Sequence, residues 1–427
     1  MKKRTYKAIK VQNIVLEKLV EQVGQQRCLI GIDVAKEDLY AGIGGPEGQT
    51  YCIVKWKHPF ETESFLELVS GLQAAGRKLE AAMEPSGTYS DALKYQLKRL
   101  GVPVYRVDPK RCHDMAMVLD GVDSQHDPKS ASLLIYLHAR GISDLWPQES
   151  EQRRQMKAQV IKRELYFDPL ERHYGRLEGK LAAHWPELPY LLDMRGGSIL
   201  ELLSQYGSAQ EVAGNSQEAA KLLRDSSRGG FSTEKIEEVI ESANNTLGAP
   251  MNRAEREVIK ALCAEMKRLR REVMQCDKVL KGFAKDCEST KYISATVGLI
   301  TSVVLMALVG EPSEYDCARS YEKALGLNLK ERSSGKHKGK LRITKRGNAT
   351  ARKYLYLAAL RLISKDAVIR AWYDKRARPG EKRKAVVAVM RKLAKAIWYV
   401  SQGNCFDVSK LFDVRRLEVG KDAAQAA

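Results

Sequence analysis

Short apolar runs alternate with amphipathic stretches between residues 28 and 142. Runs of about four to eight residues that are rich in β-branched and aromatic side chains predict strands. They are CLIGIDV, DLYAGIG, YCIVKW, KLEAAMEP and VPVYRVDP. Apolar residues at helical spacing predict helices for FETESFLELVSGLQAAG, for YSDALKYQLKRLG, and from about Pro128 through HARG. The alternation predicts an α/β domain with a mixed sheet over residues 1–145.

After this domain the sequence pattern predicts only helices. Between 259 and 280 apolar residues recur three and four positions apart, which is a heptad pattern. They are Ile259, Leu262, Met266, Leu269, Val273, Cys276 and Leu280, and a shorter version comprises Leu170, Tyr174, Leu177 and Leu181. We expect a helical insert over residues 146–289. The pattern favours either coiled-coil pairing, within the chain or between chains, or a long helix packed on its own domain.

The pattern over residues 290–415 predicts a third domain, which is all-helical apart from a basic, glycine-containing loop, RSSGKHKGKLRITKRGN. A flexible tail is expected over 416–427. The apolar stretch 294–310 is short for a membrane span, and a buried helix is expected there. Its apolar–Gly–apolar form is also that of a helix-hairpin-helix, with Val297 and Gly298 in place of the usual Pro-Gly. Trp372, Tyr373 and Trp398 could stack on bases, but their helical spacing favours packing.

The positive charge of the chain is concentrated in one region. The net charge is +19, and residues 330–395 hold 22 Lys or Arg against four Asp or Glu. A polyanion-binding region is predicted, with nucleic acid as the favoured partner, although a solvated basic surface is the alternative.

The eight cysteines form no C-x-x-C pair and no cluster with histidine. This argues against structural zinc and against a disulfide framework, and it indicates a reducing compartment. The basic N-terminus lacks the continuous apolar segment of a secretory signal. We expect a cytoplasmic protein without a membrane segment.

Three acidic residues lie within or at the ends of predicted elements. Asp33 lies inside a strand, where a carboxylate is costly unless a cation or hydrogen bonds hold it. Glu84 ends a strand, and Asp127 begins a helix. Such carboxylates can converge at one sheet edge and bind Mg²⁺ or Mn²⁺. The alternatives are a helix N-cap for Asp127 and a surface position for Glu84.

Three segments, GIDVAKEDL, MEPSGTY and SQHDPKSASLL, resemble the signatures of the DEDD transposases and invertases, the family of the Piv invertase and of the insertion sequence IS-one-ten. Residues 290–405 resemble the second domain of that family. The resemblance implies a RuvC-like, ribonuclease-H-like first domain with four acidic metal ligands. Three of these fall on Asp33, Glu84 and Asp127. The fourth falls on Ser130, a neutral and weaker ligand, and nearby Asp123 could compensate although it lies off the motif.

The basic loop offers a candidate nucleophile. Ser334 precedes a glycine and is surrounded by Lys and Arg, whose positive field would stabilise the extra charge of a phosphoryl-transfer transition state. Ser333 is the second choice, and a flexible turn is the alternative interpretation. The resemblance implies that DNA becomes covalently joined to a serine of this loop. Nucleic-acid contacts are predicted for Arg332, Lys336, Lys338, Lys340, Arg342, Lys345, Arg346, Asn348 and Arg352, of which the last four could also cap a helix.

The expected function is DNA recombination by a mobile-element transposase. The resemblance further implies Mg²⁺ (or Mn²⁺), guidance by a structured bridge RNA, and a homo-dimer or homo-tetramer in the bacterial or archaeal nucleoid. A site-specific invertase, a catalytically impaired RNA- or DNA-binding copy, and an endonuclease with water as nucleophile remain as alternatives.

Overall fold

The computed structural model describes residues 6–24, 27–85, 87–122, 124–146, 148–285, 288–331, 339 and 341–412. The chain divides into two compact units, Met1–Gln148 and Glu149–Ala427.

The first unit alternates strands and helices. Its elements are β1 (Ala8–Lys10), α1 (Leu16–Val23), β2 (Cys28–Val34), β3 (Asp38–Gly44), β4 (Thr50–Lys57), α2 (Thr62–Ala74), β5 (Leu79–Met83), α3 (Asp91–Arg99), β6 (Val104–Arg106), α4 (Pro109–Met115), α5 (Asp127–Ala139) and β7 (Asp144–Leu145). The five predicted strands and three predicted helices are confirmed. The pattern missed β1, α1, α4 and β7, which at two to eight residues carry little periodic signal.

These strands form one mixed sheet in the order β1-β4-β3-β2-β5-β6-β7. Strands β2, β3 and β4 are antiparallel neighbours, whereas β5 and β6 run parallel to β2. In register, Ile32 pairs with Met83 and Met83 pairs with Arg106. The carboxyl ends of β2, β5 and β6 therefore meet at one edge of the sheet.

The two faces of β2 pack differently. Ile30 and Ile32 are fully buried in an apolar core that also contains Phe65 and Leu72 of α2. Gly31 faces α5 instead, and a Cβ atom there would lie 2.2 Å from the carbonyl oxygen of Ala131. The absence of a side chain at Gly31 allows α5 to lie directly against the strand.

The second unit consists almost entirely of helices. Its elements are α6 (Glu151–His184), α7 (Leu188–Leu191), α8 (Gly197–Gln205), α9 (Ala209–Gly214), α10 (Ser216–Ser226), α11 (Thr233–Asn244), α12 (Arg253–Lys285), α13 (Glu288–Val297), α14 (Leu299–Leu308), α15 (Ala318–Ala324), β8 (Leu329–Lys330), β9 (Arg342–Ile343), α16 (Ala349–Lys365), α17 (Ala367–Asp374), α18 (Lys382–Ser401) and α19 (Val408–Leu411).

Helices α6 and α12, each about 50 Å long, pack against each other within the chain. The predicted seam of α12 is buried at Ile259, Met266 and Leu280. At one end, a separate apolar cluster joins both helices to α8 and α11. The heptad pattern thus serves pairing inside one chain, which the sequence left open.

The apolar stretch 294–310 is divided between two helices rather than forming one. Helix α13 ends at Val297, and α14 begins at Leu299. Gly298 between them has a φ of +86°, which glycine adopts without strain. The core of this region includes Val304, Leu305 and most of the buried side chains of α16 and α18. Among the described residues, no helix is long and apolar enough to cross a membrane.

Candidate acidic site and basic loop

Three elements of the first unit carry the predicted acidic residues to one place. Asp33 lies near the carboxyl end of β2, and Glu84 follows directly after the neighbouring parallel strand β5. Asp127 opens α5, which packs across β2 and β3. The sheet register and the close approach at Gly31 therefore bring the start of α5 over the strand ends.

The electrostatics show that these carboxylates act on one another. Asp33 is half-buried, and its pKa is raised to about 6 by burial and by the negative charges of Asp127 and Glu84. A hydrogen bond with Ser130 opposes this shift. Ser130, on which the resemblance placed the fourth ligand, thus contacts Asp33.

Asp127 does not cap its helix. The N-cap of α5 is His126, whose Nδ1 accepts a hydrogen bond from the backbone N–H of Lys129 at 3.2 Å. The N-cap alternative for Asp127 is therefore wrong. Asp127 lies in the exposed first turn, where the helix dipole favours a negative charge.

Two residues that the sequence analysis missed join this edge of the sheet. Asp108 follows β6 and caps α4, accepting from the backbone N–H of Lys110 at 2.8 Å. Cys112 forms a hydrogen bond with Glu84, and burial together with the Glu84 charge raises the pKa of its thiol to about 12. Burial likewise raises the pKa of Glu84, and the Asp108 charge adds to the rise. The sequence could have indicated Asp108, because it stands before a proline at the end of its predicted strand (VDP), as Glu84 does in MEP.

Tyr40 is a further neighbour of the acidic residues. It lies opposite Asp33 in the antiparallel β2–β3 register. Burial raises the pKa of its phenol, and Asp127 and Asp33 contribute to the rise. The alternation of β3 could have placed Tyr40 on this face, but only the register places it opposite Asp33.

The donor set matches the chemistry of a hard divalent cation, since Asp33, Glu84 and Asp127 offer carboxylate oxygens. A cation would also relieve the mutual repulsion that raises the pKa of Asp33. Among the residues that the structure describes, however, no three Asp, Glu, His or Cys side chains are close enough to hold a metal ion. The side chains would have to draw together around the ion. Asp123 lies outside the described residues.

A buried ion pair fixes the start of α5. Lys129 is 1 % exposed, and its ammonium group donates to Asp120 at 2.8 Å and to the carbonyl oxygens of Val122 at 2.6 Å and Ser124 at 3.0 Å. The opposite oxygen of Asp120 accepts from Tyr6 at 3.0 Å. Lys129 stands between Asp127 and Ser130, so this network anchors the turn that presents both side chains.

The candidate nucleophiles Ser333 and Ser334 lie outside the described residues, as do Arg332, Lys336, Lys338 and Lys340. The segments on either side of them are described. Leu329 pairs with Ile343 and Lys330 pairs with Arg342, forming the two-stranded sheet β8–β9. The sequence analysis did not predict this hairpin. Its pairing brings Lys330, just before the basic loop, next to Arg342 within the loop.

The remaining basic-loop residues have mixed roles. Asn348 caps α16, accepting from the backbone N–H of Ala351 at 3.0 Å. The Arg352 guanidinium donates to the carbonyl oxygens of Leu325 and Gly347 at 3.2 and 2.8 Å. Asn348 therefore has the helix-capping role that the sequence allowed. Arg346 is exposed, as is Lys345.

Trp372 is a packing residue, as its helical spacing indicated. It is 6 % exposed and meets Phe412 edge to face, with 5.1 Å between the ring centroids. Trp398 is half-buried and donates from its indole nitrogen to the carbonyl oxygen of Tyr315 at 2.8 Å.

Residues 295–374 match the model of the transposase IS116/IS110/IS902 family. This part of the chain resembles an insertion-sequence transposase. The match confirms the resemblance that the sequence predicted. It begins in the last turn of α13 and spans α14, α15, the β8–β9 hairpin, α16 and α17. No curated protein matches the chain.

Proposed function

We propose that this protein is a DNA recombinase of an insertion sequence, which cleaves and rejoins DNA through a covalent phosphoserine intermediate. The observation that carries the proposal is the convergence of Asp33, Glu84 and Asp127 at one sheet edge, in a chain whose C-terminal part matches a transposase family. DNA is accordingly the partner that the match supports.

The first unit is proposed to be RuvC-like. In support, β4-β3-β2-β5-β6 forms an antiparallel meander that continues into two parallel strands. The acidic residues stand on the central strand, on its parallel neighbour and on the helix above them. This placement is compatible with the ribonuclease-H-like domain that the resemblance implied.

Asp33, Glu84 and Asp127 would hold a divalent cation, and Ser130 would contribute at most a neutral oxygen. When bound, Mg²⁺ would neutralise charge on the scissile phosphate and help to activate the nucleophile. The Ser130 hydroxyl orients Asp33 through their hydrogen bond. Lys129 fixes the turn that carries Asp127.

Ser334 is the proposed nucleophile, with Ser333 as the alternative. The serine oxygen would attack phosphorus and form a phosphoserine bond while the DNA 3′- or 5′-oxygen leaves with a proton. Rejoining would reverse these steps with a new DNA end. Arg342, Lys345 and Arg346, in the C-terminal part of the loop, would bind backbone phosphates.

Guidance by a bridge RNA and assembly as a dimer or tetramer are also proposed, from the resemblance alone. The excess of 18 positive charges over residues 330–395 is compatible with RNA as well as DNA.

The proposal is tested by a search for a protein–DNA adduct that survives denaturation, using the protein with co-purifying RNA, DNA from its genomic junction, and Mg²⁺. Wild-type protein is expected to form the adduct, and Ser334→Ala is expected to abolish it. Ser333→Ala is the matched control and should keep it. An adduct that survives in both single variants and in the double variant would overturn the phosphoserine mechanism.

A catalytically impaired copy that only binds nucleic acid is the second candidate. It is favoured by Ser130, which places a hydroxyl where the resemblance expects a fourth carboxylate. Ser130→Asp distinguishes the two. If the wild type forms no adduct but Ser130→Asp does, and if Mn²⁺ raises the melting temperature of the variant more than that of the wild type, the natural copy is impaired.

A further inference from the structure

Two grooves of the second unit join along helix α18. One, of about 750 Å³, lies between α18 and the β8–β9 hairpin. The other, of about 670 Å³, lies between α18 and residues 404–411. Ala388 and Arg391 line both grooves, so the two are neighbours along α18, and we call them together the α18 groove.

The α18 residues that line this groove recur every four positions. They are Arg383 and Lys384, Val387 and Ala388, Arg391 and Lys392, Lys395 and Ala396, and Tyr399 and Val400. Each step of four residues turns the position by about 40° around the helix axis. The lining therefore winds around α18 as it extends over about five turns, or roughly 25 Å.

Positive charge lines the whole length of the groove. The hairpin end is lined by six cationic side chains and, among the described residues, by no acidic one. These are Lys330, Arg342, Lys345, Arg383, Lys384 and Arg391. The far end adds Arg376, Lys392, Lys395 and Lys410.

Acidic neighbours offset only part of this charge. The lining acid Asp407 is engaged by Ser409, whose backbone N–H and hydroxyl donate to it at 2.8 and 2.6 Å. Buried Glu322 accepts from Arg391 at 2.6 Å and lies 3.6 Å from Lys395. Lys384 forms an ion pair with Glu381. Most of the cationic lining of the groove remains in excess, which suits a polyanion.

Between its cationic side chains the groove has an apolar lining, which we call its floor. Leu341 is 53 % exposed at the hairpin end, and Tyr399 is 55 % exposed at the far end. Val387, Ala388 and Ala396 lie between them. A cationic rim over an apolar floor with an exposed aromatic ring is the composition of surfaces that bind single-stranded nucleic acid, in which bases stack and phosphates meet cations.

We propose that the α18 groove binds an unpaired DNA strand and leads it to the β8–β9 hairpin. A duplex would turn phosphates outward and leave the apolar floor uncovered, whereas a single strand offers base faces to it. The commitment to DNA rests on the proposed function, because the two strands of the hairpin lie on either side of the candidate serine in the sequence. The groove length suits about four to eight nucleotides.

The test uses the full-length protein and fluorescently labelled oligodeoxythymidine of four, eight and twelve nucleotides, an oligouridine of the same lengths, and a random twelve-base-pair duplex. Anisotropy titrations over a series of salt concentrations give the affinity and its salt dependence. Tyr399→Ala is expected to weaken binding of the eight-nucleotide DNA about 5- to 100-fold, and Tyr399→Phe should keep it.

Charge reversal tests the two ends of the groove separately. Arg383→Glu and Lys410→Glu should each weaken binding and lower the slope of log K against log salt by about 0.7 for every phosphate that the variant no longer neutralises. Lys221→Glu, on an exposed face of α10, is the matched control and should change neither by more than the general reduction in net charge does.

Wild-type affinity that is unchanged in Tyr399→Ala and in both charge reversals would overturn the proposal. Tighter binding of the duplex, or tenfold tighter binding of the oligouridine, would also overturn it, in favour of another ligand. The adduct assay keeps the two hypotheses apart. If the wild type forms the adduct but the groove variants bind the oligonucleotides as tightly as the wild type does, only the groove proposal is refuted. Weakened oligonucleotide binding without any wild-type adduct refutes only the recombinase.

Discussion

Asp33 is the residue at which the acidic site most clearly lowers the stability of the fold. It is half-buried and lies within the field of two other carboxylates, so its pKa is raised and the folded protein binds the proton more tightly than the unfolded chain does. A site built to bind a cation has this property, because the repulsion that destabilises the fold becomes attraction once a cation is present.

Replacing Asp33 by Asn should therefore stabilise the protein at neutral pH. With a folded pKa of about 6 against an ordinary value of 3.8, the wild type loses stability as the pH rises from about 4 to 6, since the folded state binds more protons than the unfolded state there. Asp33→Asn has no such loss and should be more stable by about 1–3 kcal/mol at pH 8. At pH 4 the two should be nearly equal.

Urea unfolding of both proteins at pH 4 and pH 8, without divalent cations, measures this difference. Asp316→Asn, at an exposed position shortly before α15, is the control and should behave as wild type. Lower stability of Asp33→Asn at pH 8 would show that the ionised carboxylate is held by favourable contacts instead.

Lys129, an unassigned position in the segment SQHDPKSASLL, is a second residue on which we expect the stability of the fold to depend. Removing its charge by Lys129→Met leaves the Asp120 carboxylate and two carbonyl groups without their buried partner, although Asp120 is partly exposed and still accepts from Tyr6 and Val122. The free energy of unfolding should fall by about 1–3 kcal/mol. The double variant Asp120→Leu, Lys129→Met should lose less, because no charge is then left unpaired. Denaturant unfolding measures both, and equal losses would contradict the ion-pair explanation.

At the scale of elements, the position of α5 decides whether the acidic site exists. The helix can reach β2 only because Gly31 has no side chain, and both Asp127 and Ser130 depend on this approach. The clash that a methyl group would cause is with backbone atoms of Ala131, which cannot turn away as a side chain can.

Gly31→Ala should move α5 and destabilise the protein by about 1–3 kcal/mol. Gly179→Ala is a matched control within α6, where nothing lies within 4 Å of the added carbon. It should be neutral or stabilising by up to about 1 kcal/mol, because alanine favours the helix. Thermal unfolding of both variants provides the comparison. Equal effects would mean that the α5 contact can adjust freely.

The polar contacts of α6 with α12 and α16 could not be predicted from the periodicity of the sequence. Arg163 of α6 is buried and donates to Asp277 of α12 at 2.5 Å and to the hydroxyl of Tyr354 in α16. Lys353 donates to Glu164 and Asp168 of α6 at 2.7 and 2.6 Å. These contacts join the long helix pair to the region that matches the transposase family.

At the scale of the whole molecule, charge dominates the expected binding behaviour. The net charge is +19, and its excess falls almost wholly within residues 330–395. A protein that neutralises several phosphates releases counterions, and its affinity therefore falls steeply with salt.

Affinity for duplex DNA of random sequence should fall at least about 100-fold between 50 and 200 mM salt. Anisotropy titrations of the full-length protein at four salt concentrations measure this, with glutamate and chloride salts compared as an anion control. A change of less than about threefold would show that the basic region does not bind the phosphate backbone.

The sequence by itself determined the strands and helices around the acidic residues, the basic region and the family resemblance. These depend on local periodicity, on composition and on the order of short motifs, all of which can be read along the chain. It also determined that Ser130 stands where a carboxylate is expected. The acidic site was predictable as far as each carboxylate ends a recognisable element.

Only the tertiary structure decided which partners those elements meet. Pairing of α12 with α6, capping of α5 by His126, the addition of Asp108 and Cys112 to the sheet edge, and the meeting of α18 with the β8–β9 hairpin all join residues that local periodicity does not connect. Strand register and helix packing decide such contacts, and they arise from the burial of whole faces at once. No local pattern carries that information, because one amphipathic face can pack against many others.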